Sequence, residues 1–283
     1  MQLVLLCILS LLAFAGNSLL ARLALAHTAI DPATFTSLRL VAGAVVLWWL
    51  VRSRSPGDGH ASTPAGDWPS AFALFAYAAA FSYAYVAMSA GTGALLLFGA
   101  VQATMLGVGL WRGERFSAAQ WVGLAFALAG LVALLLPGVD RPPAAAAALM
   151  ATAGAAWGVY SLRGARASQP LRATAGNFAR AAPLAIVLNL ALLADARVDA
   201  GGAACAIASG AVTSGLGYAA WYAVLPRLPA MPASVVQLAV PVVTAIGAVM
   251  FLGEAVGLRL VLCSAAVLGG VLLVVATRAR RGP

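Results

Sequence analysis

Trp111-Arg112-Gly113-Glu114-Arg115 and Phe251-Leu252-Gly253-Glu254-Ala255 decide how this chain is read. Glutamate occurs nowhere else in the 283 residues, and the two copies lie 140 positions apart. Each follows a glycine, closes one apolar run and opens the next. Sliding the chain on itself by 140 aligns residues 93–132 with 233–272 without a gap. Thr104/Thr244, Gly107/Gly247, Ala125/Ala265, Leu128/Leu268 and Gly130/Gly270 then coincide. Among so many Ala, Leu and Gly residues those matches carry little weight. The Gly-Glu pair carries more, because Glu is so rare here. It points to an internal duplication of about half the chain.

Composition sets the medium. Hydrophobic residues make up 63% and charged residues 9%, and the mean hydropathy is +0.96. No water-soluble core needs so much apolar sequence, so the lipid bilayer is the expected partner. A spanning helix takes about 20 mostly apolar residues. Ten such runs can be cut, at 3–25, 33–51, 69–89, 92–111, 119–136, 144–163, 173–193, 203–225, 233–252 and 257–276. The runs are too long for barrel strands and lack strict alternation. An all-α polytopic membrane protein with ten transmembrane helices is expected. Five per half is an odd number, so the second half enters from the opposite side. The duplication becomes an inverted-topology repeat of residues 1–138 and 143–279, parted near Pro137–Pro143.

Charge refines the picture. The net charge of +9 comes from 17 basic residues, all arginine, most of them in short loops. That distribution speaks for topology rather than for nucleic acid. Without lysine the chain has no phosphate-binding Walker lysine, so no nucleotide is expected, and no Schiff-base lysine. With the N-terminus inside, inner segments hold eleven arginines and outer segments four. The positive-inside bias places both termini in the cytoplasm. Ala24-Leu25-Ala26 imitates a signal-peptidase site, but no basic region precedes it, so residues 3–25 read as a first span. Cys7, Cys205 and Cys263 are isolated in apolar runs and read as free thiols. The one long polar loop, Ser53–Trp68, reads as a flexible connection.

Helix punctuation fits these boundaries. Asp31-Pro32 supplies an N-cap and a first-turn proline. Ser117 and Gln120 have capping-box spacing. Pro226, Pro229 and Pro232 mark the turn before the ninth span.

All eight acidic residues fall in loops or at span ends. A charge at the midplane is too costly to keep without a job, so the lack of one argues against a carboxylate-based coupling site. His27 and His60 sit in loops, and no nucleophile-base or metal-spaced cluster occurs within the spans. The reading is neither an enzyme nor a metal or cofactor protein.

Buried polar and aromatic residues are left. Asn17, Gln102 and Gln237 lie deep in spans one, four and nine. They either bind a polar ligand group or hydrogen-bond between helices, and Asn17 fits the second role better. Pro241 stands four residues after Gln237, so its ring frees the Gln237 carbonyl. Ser82-Tyr83-Ala84-Tyr85 resembles Gly217-Tyr218-Ala219, with Trp221 following, which pairs Tyr83 with Tyr218 across the halves. Trp157 sits mid-run, as does Phe98. Trp48, Trp49, Trp68, Trp111 and Trp121 suit interfacial belts instead. Arg39 and Arg180 are a second pseudo-symmetric pair. Each either snorkels to the near interface or forms an anion-attracting entrance.

This pattern resembles the EamA-type branch of the drug/metabolite transporter superfamily. The resemblance rests on Gly113-Glu114 with Gly130, Gly253-Glu254 with Gly270, Tyr83, Tyr218 and Pro241. Val101 stands where the family's first-half proline would be. Within the branch the chain is similar to bacterial YddG-type exporters of aromatic and other neutral amino acids. That implies a central cavity between spans 1–4 and 6–9, spans five and ten peripheral, and alternating-access export of a small molecule. Tyr83, Phe98, Gln102, Trp157, Tyr218, Trp221 and Gln237 are then the expected substrate-binding residues. Asn17, Arg39, Arg180, Pro241, Glu114 and Glu254 are expected to gate or support the site. Exporters of lipophilic or cationic drugs are the alternative, since aromatic walls suit them equally. A non-transporting membrane enzyme or scaffold is the alternative from another class.

Overall fold

A computed structural model describes residues 2–54, 65–113, 115–136, 142–224, 237 and 239–279. Glu114, Asp58, His60, Asp140 and the prolines Pro137, Pro226, Pro229 and Pro232 lie outside them. The described residues form helices and no strand. We label them α1 Gln2–His27, α2 Pro32–Arg54, α3 Trp68–Tyr85, α4 Ala90–Trp111 and α5 Ala118–Leu135. Then come α6 Ala144–Gly164 and α7 Pro170–Ala191. Ala200–Ala208, Ser209–Leu216 and Gly217–Val224 run on without a break and together are α8, its middle piece π-helical. Val240–Leu252 is α9 and Leu258–Ala279 is α10.

By length and composition, α1, α2, α4, α6 and α8 can each cross a bilayer, while α5, α9 and α10 hold shorter apolar stretches. α3 and α7 fall short because they carry polar groups, and those groups are spent between helices. The Asn189 amide on α7 donates to the Thr34 hydroxyl at 2.9 Å. Thr36 on α2 donates to the Ser82 hydroxyl on α3 at 2.8 Å. The exterior is apolar all round: Trp48, Trp49, Phe72, Trp121 and Phe251 are exposed, and Trp111 is 87% exposed. Such a surface suits lipid, where every backbone group is satisfied inside its own helix.

Local sequence sets the helix ends. Asp31 Oδ1 accepts from the Ala33 and Thr34 amides at 2.9 Å, and its Oδ2 accepts from the Arg197 amide at 2.9 Å. One carboxylate thus starts α2 and ties it to the approach to α8. Burial would raise this carboxyl, but those hydrogen bonds outweigh it and hold it below the usual carboxylate range. Ser117 and Gln120 form the full capping box of α5. Gly253 ends α9 in the left-handed region at φ 64°, a conformation open to glycine at little cost. The chain then turns sharply enough for Glu254 to fold back onto the bundle.

Packing is by close pairs of helices. α5 lies against α10, α2 against α7, α3 against α6, and α1 against α8 and α9, while α4 contacts α6 and α9. In a bilayer such pairs are held by close approach and interhelical hydrogen bonds, so small residues collect at the crossings. A side chain on Gly123 would meet the Gly270 carbonyl at 2.5 Å, and one on Gly130 would meet the Cys263 carbonyl at 3.1 Å. These two contacts make α5 and α10 antiparallel. On α2 and α7, Thr34 faces Asn189 while Gly43 faces Phe178, so that pair is antiparallel too.

Candidate functional site

The helices converge on a central cavity of about 20 Å³. It is lined by Phe14, Asn17 and Ser18 of α1, Tyr77 of α3, Leu97 and Phe98 of α4, Trp157 of α6, Thr213, Ser214 and Tyr218 of α8, and Gln237. A single water needs roughly 10–15 Å³ by this measure, so little more than a water fits. Small-molecule pockets run to about 300–1,000 Å³, so a ligand enters only if the walls part.

One wall is aromatic. The Trp157 indole lies 4.9 Å from the Tyr77 ring, 5.2 Å from Tyr218 and 5.4 Å from Tyr160. Phe14 meets Tyr218 edge-on at 6.0 Å and Trp221 at 5.9 Å. The other wall is a hydrogen-bond chain. Ser209 donates to Asn17 Oδ1 at 2.7 Å, and Asn17 Nδ2 donates to the Tyr77 hydroxyl oxygen at 3.1 Å. Arg39 Nη2 donates to that same oxygen at 2.9 Å. Ser209 and Thr213 belong to the π-helical piece of α8. π segments recur at functional sites because they re-aim side chains.

The expected residues divide. Phe98, Trp157, Tyr218 and Gln237 meet in the cavity, with Asn17 beside them. Asn17 links α1 to α3 and α8 as an interhelical donor and acceptor. Trp221 is buried behind Phe14. Gln102 is buried on α4 without lining the cavity, and Tyr83 is half-buried on α3 outside it. Pro241 stands in the first turn of α9, where its missing N–H is no loss. Arg180 is half-buried, and its Nη1 donates to the Gly176 carbonyl at 3.0 Å. Arg39 does not snorkel: it is 1% exposed, packed against Tyr77 and Phe81.

Tyr77, Phe14, Thr213 and Ser214 escaped the sequence reading. A signal for Tyr77 was available. Arg22/Arg163, Arg39/Arg180 and Tyr77/Tyr218 are each 141 positions apart. The local likeness of Ser82-Tyr83 to Gly217-Tyr218 had hidden that register.

Ion pairs stand at the two ends of the bundle. At one, Arg22 Nε donates to Glu254 Oε1 at 2.8 Å and Arg22 Nη1 to the Tyr85 carbonyl at 2.9 Å. Glu254 Oε2 accepts from the Ala90 amide at 2.7 Å, so it caps α4 in place of Ser89, whose own side chain makes no cap bond. At the other, Arg163 Nη2 donates to Asp67 Oδ1 at 2.8 Å and Arg163 Nε to the Ser70 hydroxyl at 2.9 Å. Desolvation would raise the Asp67 carboxyl, but bonds from the Ser70 amide and Arg163 hold it below its ordinary value. Glu114 lies outside the described residues.

A lipid-faced helical bundle around an enclosed cavity of aromatic and polar side chains defines a multi-pass membrane protein of the small-molecule transporter class. Known proteins agree. Residues 144–276 match the profile of the EamA-like transporter family. An uncharacterized protein of Pseudomonas aeruginosa, PA1977, is 52% identical over 98% of this chain and 96% of its own length. A protein of known crystal structure, 22% identical, superposes with a TM-score of 0.71 over 99% of this chain and 98% of its own, a likeness of fold. Residues 144–276 are thus an EamA-like transporter domain.

Proposed function

We propose that this protein exports small metabolites with an apolar body, aromatic or other neutral amino acids among them, across a bacterial inner membrane by alternating access. The observation that carries the reading is the cavity itself: five aromatic rings in its lining, a hydrogen-bond chain through Asn17 and Tyr77, and an ion pair at either end of the bundle. Aromatic walls suit the apolar body of a ligand, and hydroxyl and amide groups suit its polar end. Opening one end at a time would enlarge the cavity while the opposite ion pair stayed closed.

The inverted repeat is part of the proposal. Adding 140 turns Gly123 into Cys263 and Gly130 into Gly270. The Gly123–Gly270 and Gly130–Cys263 contacts are therefore one contact counted from either half, as a two-fold axis in the membrane plane requires. The family match over 144–276 falls within the second half, 143–279. Ten spans, with both termini in the cytoplasm, follow from this symmetry and the arginine bias.

Reconstitution tests the reading. Proteoliposomes loaded with labelled phenylalanine should lose it down its gradient faster than protein-free liposomes. Among the described residues no carboxylate lines the cavity to carry a coupling ion, so no pH or sodium gradient should be needed. Efflux no faster than from empty liposomes, for phenylalanine, leucine and a cationic dye alike, would remove transport from consideration.

A further inference from the structure

Arg39 is the unusual residue of this bundle. It lies on α2, 1% exposed, and always carries its charge. Arg39 belongs to neither of the ion pairs at the bundle ends, and no described carboxylate neutralises it. Its guanidinium carbon sits 5.1 Å from the Tyr77 ring centroid and 4.9 Å from that of Phe81, a partial compensation. Of its donors, Nη2 is used by Tyr77 while Nε and Nη1 have no hydrogen-bond partner. A buried cation with two idle donors is expensive to keep.

The hydrogen-bond chain has the same shortage. Ser209 donates to Asn17, Asn17 donates to Tyr77, and Arg39 donates to Tyr77. The Tyr77 oxygen thus accepts twice, and its own hydrogen finds no acceptor among the described residues. A phenol has only that one proton to give. Tyr77 also lines the cavity. The Tyr77 proton is therefore left at the cavity wall, backed by the positive charge of Arg39, and the partner that suits both is an acceptor bearing negative charge.

We infer that the central site takes the carboxylate end of an organic acid whose apolar body lies against Trp157. The Tyr77 hydroxyl donates to the carboxylate, and Arg39 behind it supplies the countercharge. This rests on the transport reading for the route and adds to it the substrate class. No described carboxylate faces the cavity to receive an ammonium, so an amino group is dispensable and a cation alone is excluded.

The test uses the full-length protein purified in detergent, with 3-phenylpropanoate, phenylalanine, 2-phenylethylamine and 3-phenylpropan-1-ol as probes. Both carboxylates should raise the melting temperature of the wild type, and the amine and the alcohol should not. Arg39→Met should melt higher than the wild type without ligand, since it removes an unpaired buried charge, and should lose the carboxylate response. Tyr77→Phe keeps the ring and should weaken carboxylate binding by about 10- to 150-fold, the worth of one hydrogen bond to a charged group. An Arg39 that serves only as packing would give the reverse: a lower melting temperature for Arg39→Met with the carboxylate response intact. That result, equal responses to amine and acid, or no response to either acid, would overturn the inference. Flux of the amine or alcohol through liposomes without flux of the acids would sink the substrate class and leave transport standing. Binding of the acids with no flux of any probe would sink transport and leave the anion site standing.

Discussion

The two ends of the bundle are closed by the same chemistry at different depths. Arg22 and Glu254 retain 19% and 14% side-chain exposure, whereas Arg163 and Asp67 retain 42% and 49%. The more buried pair also does more. Glu254 receives the Ala90 amide and Arg22 reaches two carbonyls of the α3 end, so α1, α3, α4 and the α9–α10 turn meet at one point. The Asp67 pair joins α3 to α6 and caps α3. An exposed pair contributes about 0–1 kcal/mol, while breaking a buried one leaves a charge stranded. The Glu254 end is therefore the firmer closure, and the Asp67 end is the one that parts more readily.

The largest effect should come from asking which compartment each end faces. In a cysteine-free background, a cysteine replacing exposed Ala196 should react fully with an impermeant thiol reagent outside intact cells. One replacing exposed Ser168 should stay unlabelled until the cells are opened. The opposite pattern would reverse the assignment of the two ends.

Breaking the firm end comes next. Glu254→Ala strands Arg22 and uncaps α4, and should cost about 2–3 kcal/mol in thermal unfolding, discounted for its partial exposure. A comparable loss follows at the centre. Trp157→Ala removes an indole packed on three tyrosine rings around a cavity with almost no spare room. It should cost about 3 kcal/mol and also slow transport. Trp157→Phe should melt near the wild type. If the alanine variant keeps its melting temperature, the cavity is far larger in solution than the packing around Trp157 implies.

Breaking the loose end should be mild. Asp67→Ala removes a cap and an exposed pair and should cost about 1 kcal/mol, and Asp67→Asn less, because asparagine also caps. Acid gives the smallest signal. Asp67 and Asp31 are both held below the ordinary aspartate value of 3.8. Their stabilisation is complete above that value and is lost as pH falls through their lower folded values. The melting temperature should therefore fall on acidification below about pH 4, and less so in Asp67→Asn. An identical acid profile in that variant would mean Asp67 adds nothing to the loose end.

The sequence disclosed the ends of this molecule better than its middle. Caps are local: Asp31 with Pro32, Ser117 with Gln120, and Gly253 before Glu254 all depend on neighbours a few positions away. Which face of a helix points inward is not local. In water an amphipathic stripe marks the inner face, but lipid accepts apolar side chains all round. Hence Tyr83 is the expected residue while Tyr77, one and two-thirds turns away on another face of α3, is the one that lines the cavity. Arg39 reads from the sequence as either snorkelling or forming an anion-attracting entrance; it does not snorkel, because its face of α2 is packed against Tyr77 and Phe81 of α3. Trp157 and Phe98 were legible because a tryptophan or phenylalanine far from either interface already stands out.

The π-helical piece Ser209–Leu216 bears on how such a transporter can change over generations. A π segment holds surplus residues inside an unbroken helix, so losing one of them need not break the rod. Each residue removed instead turns everything beyond it by about 100°. A single-codon deletion between Ser209 and Leu216 would thus swing Tyr218 and Trp221 together off the cavity wall and bring other side chains of the same helix in. Related transporters could exchange one lining for another in that way, by a change of length rather than of residues.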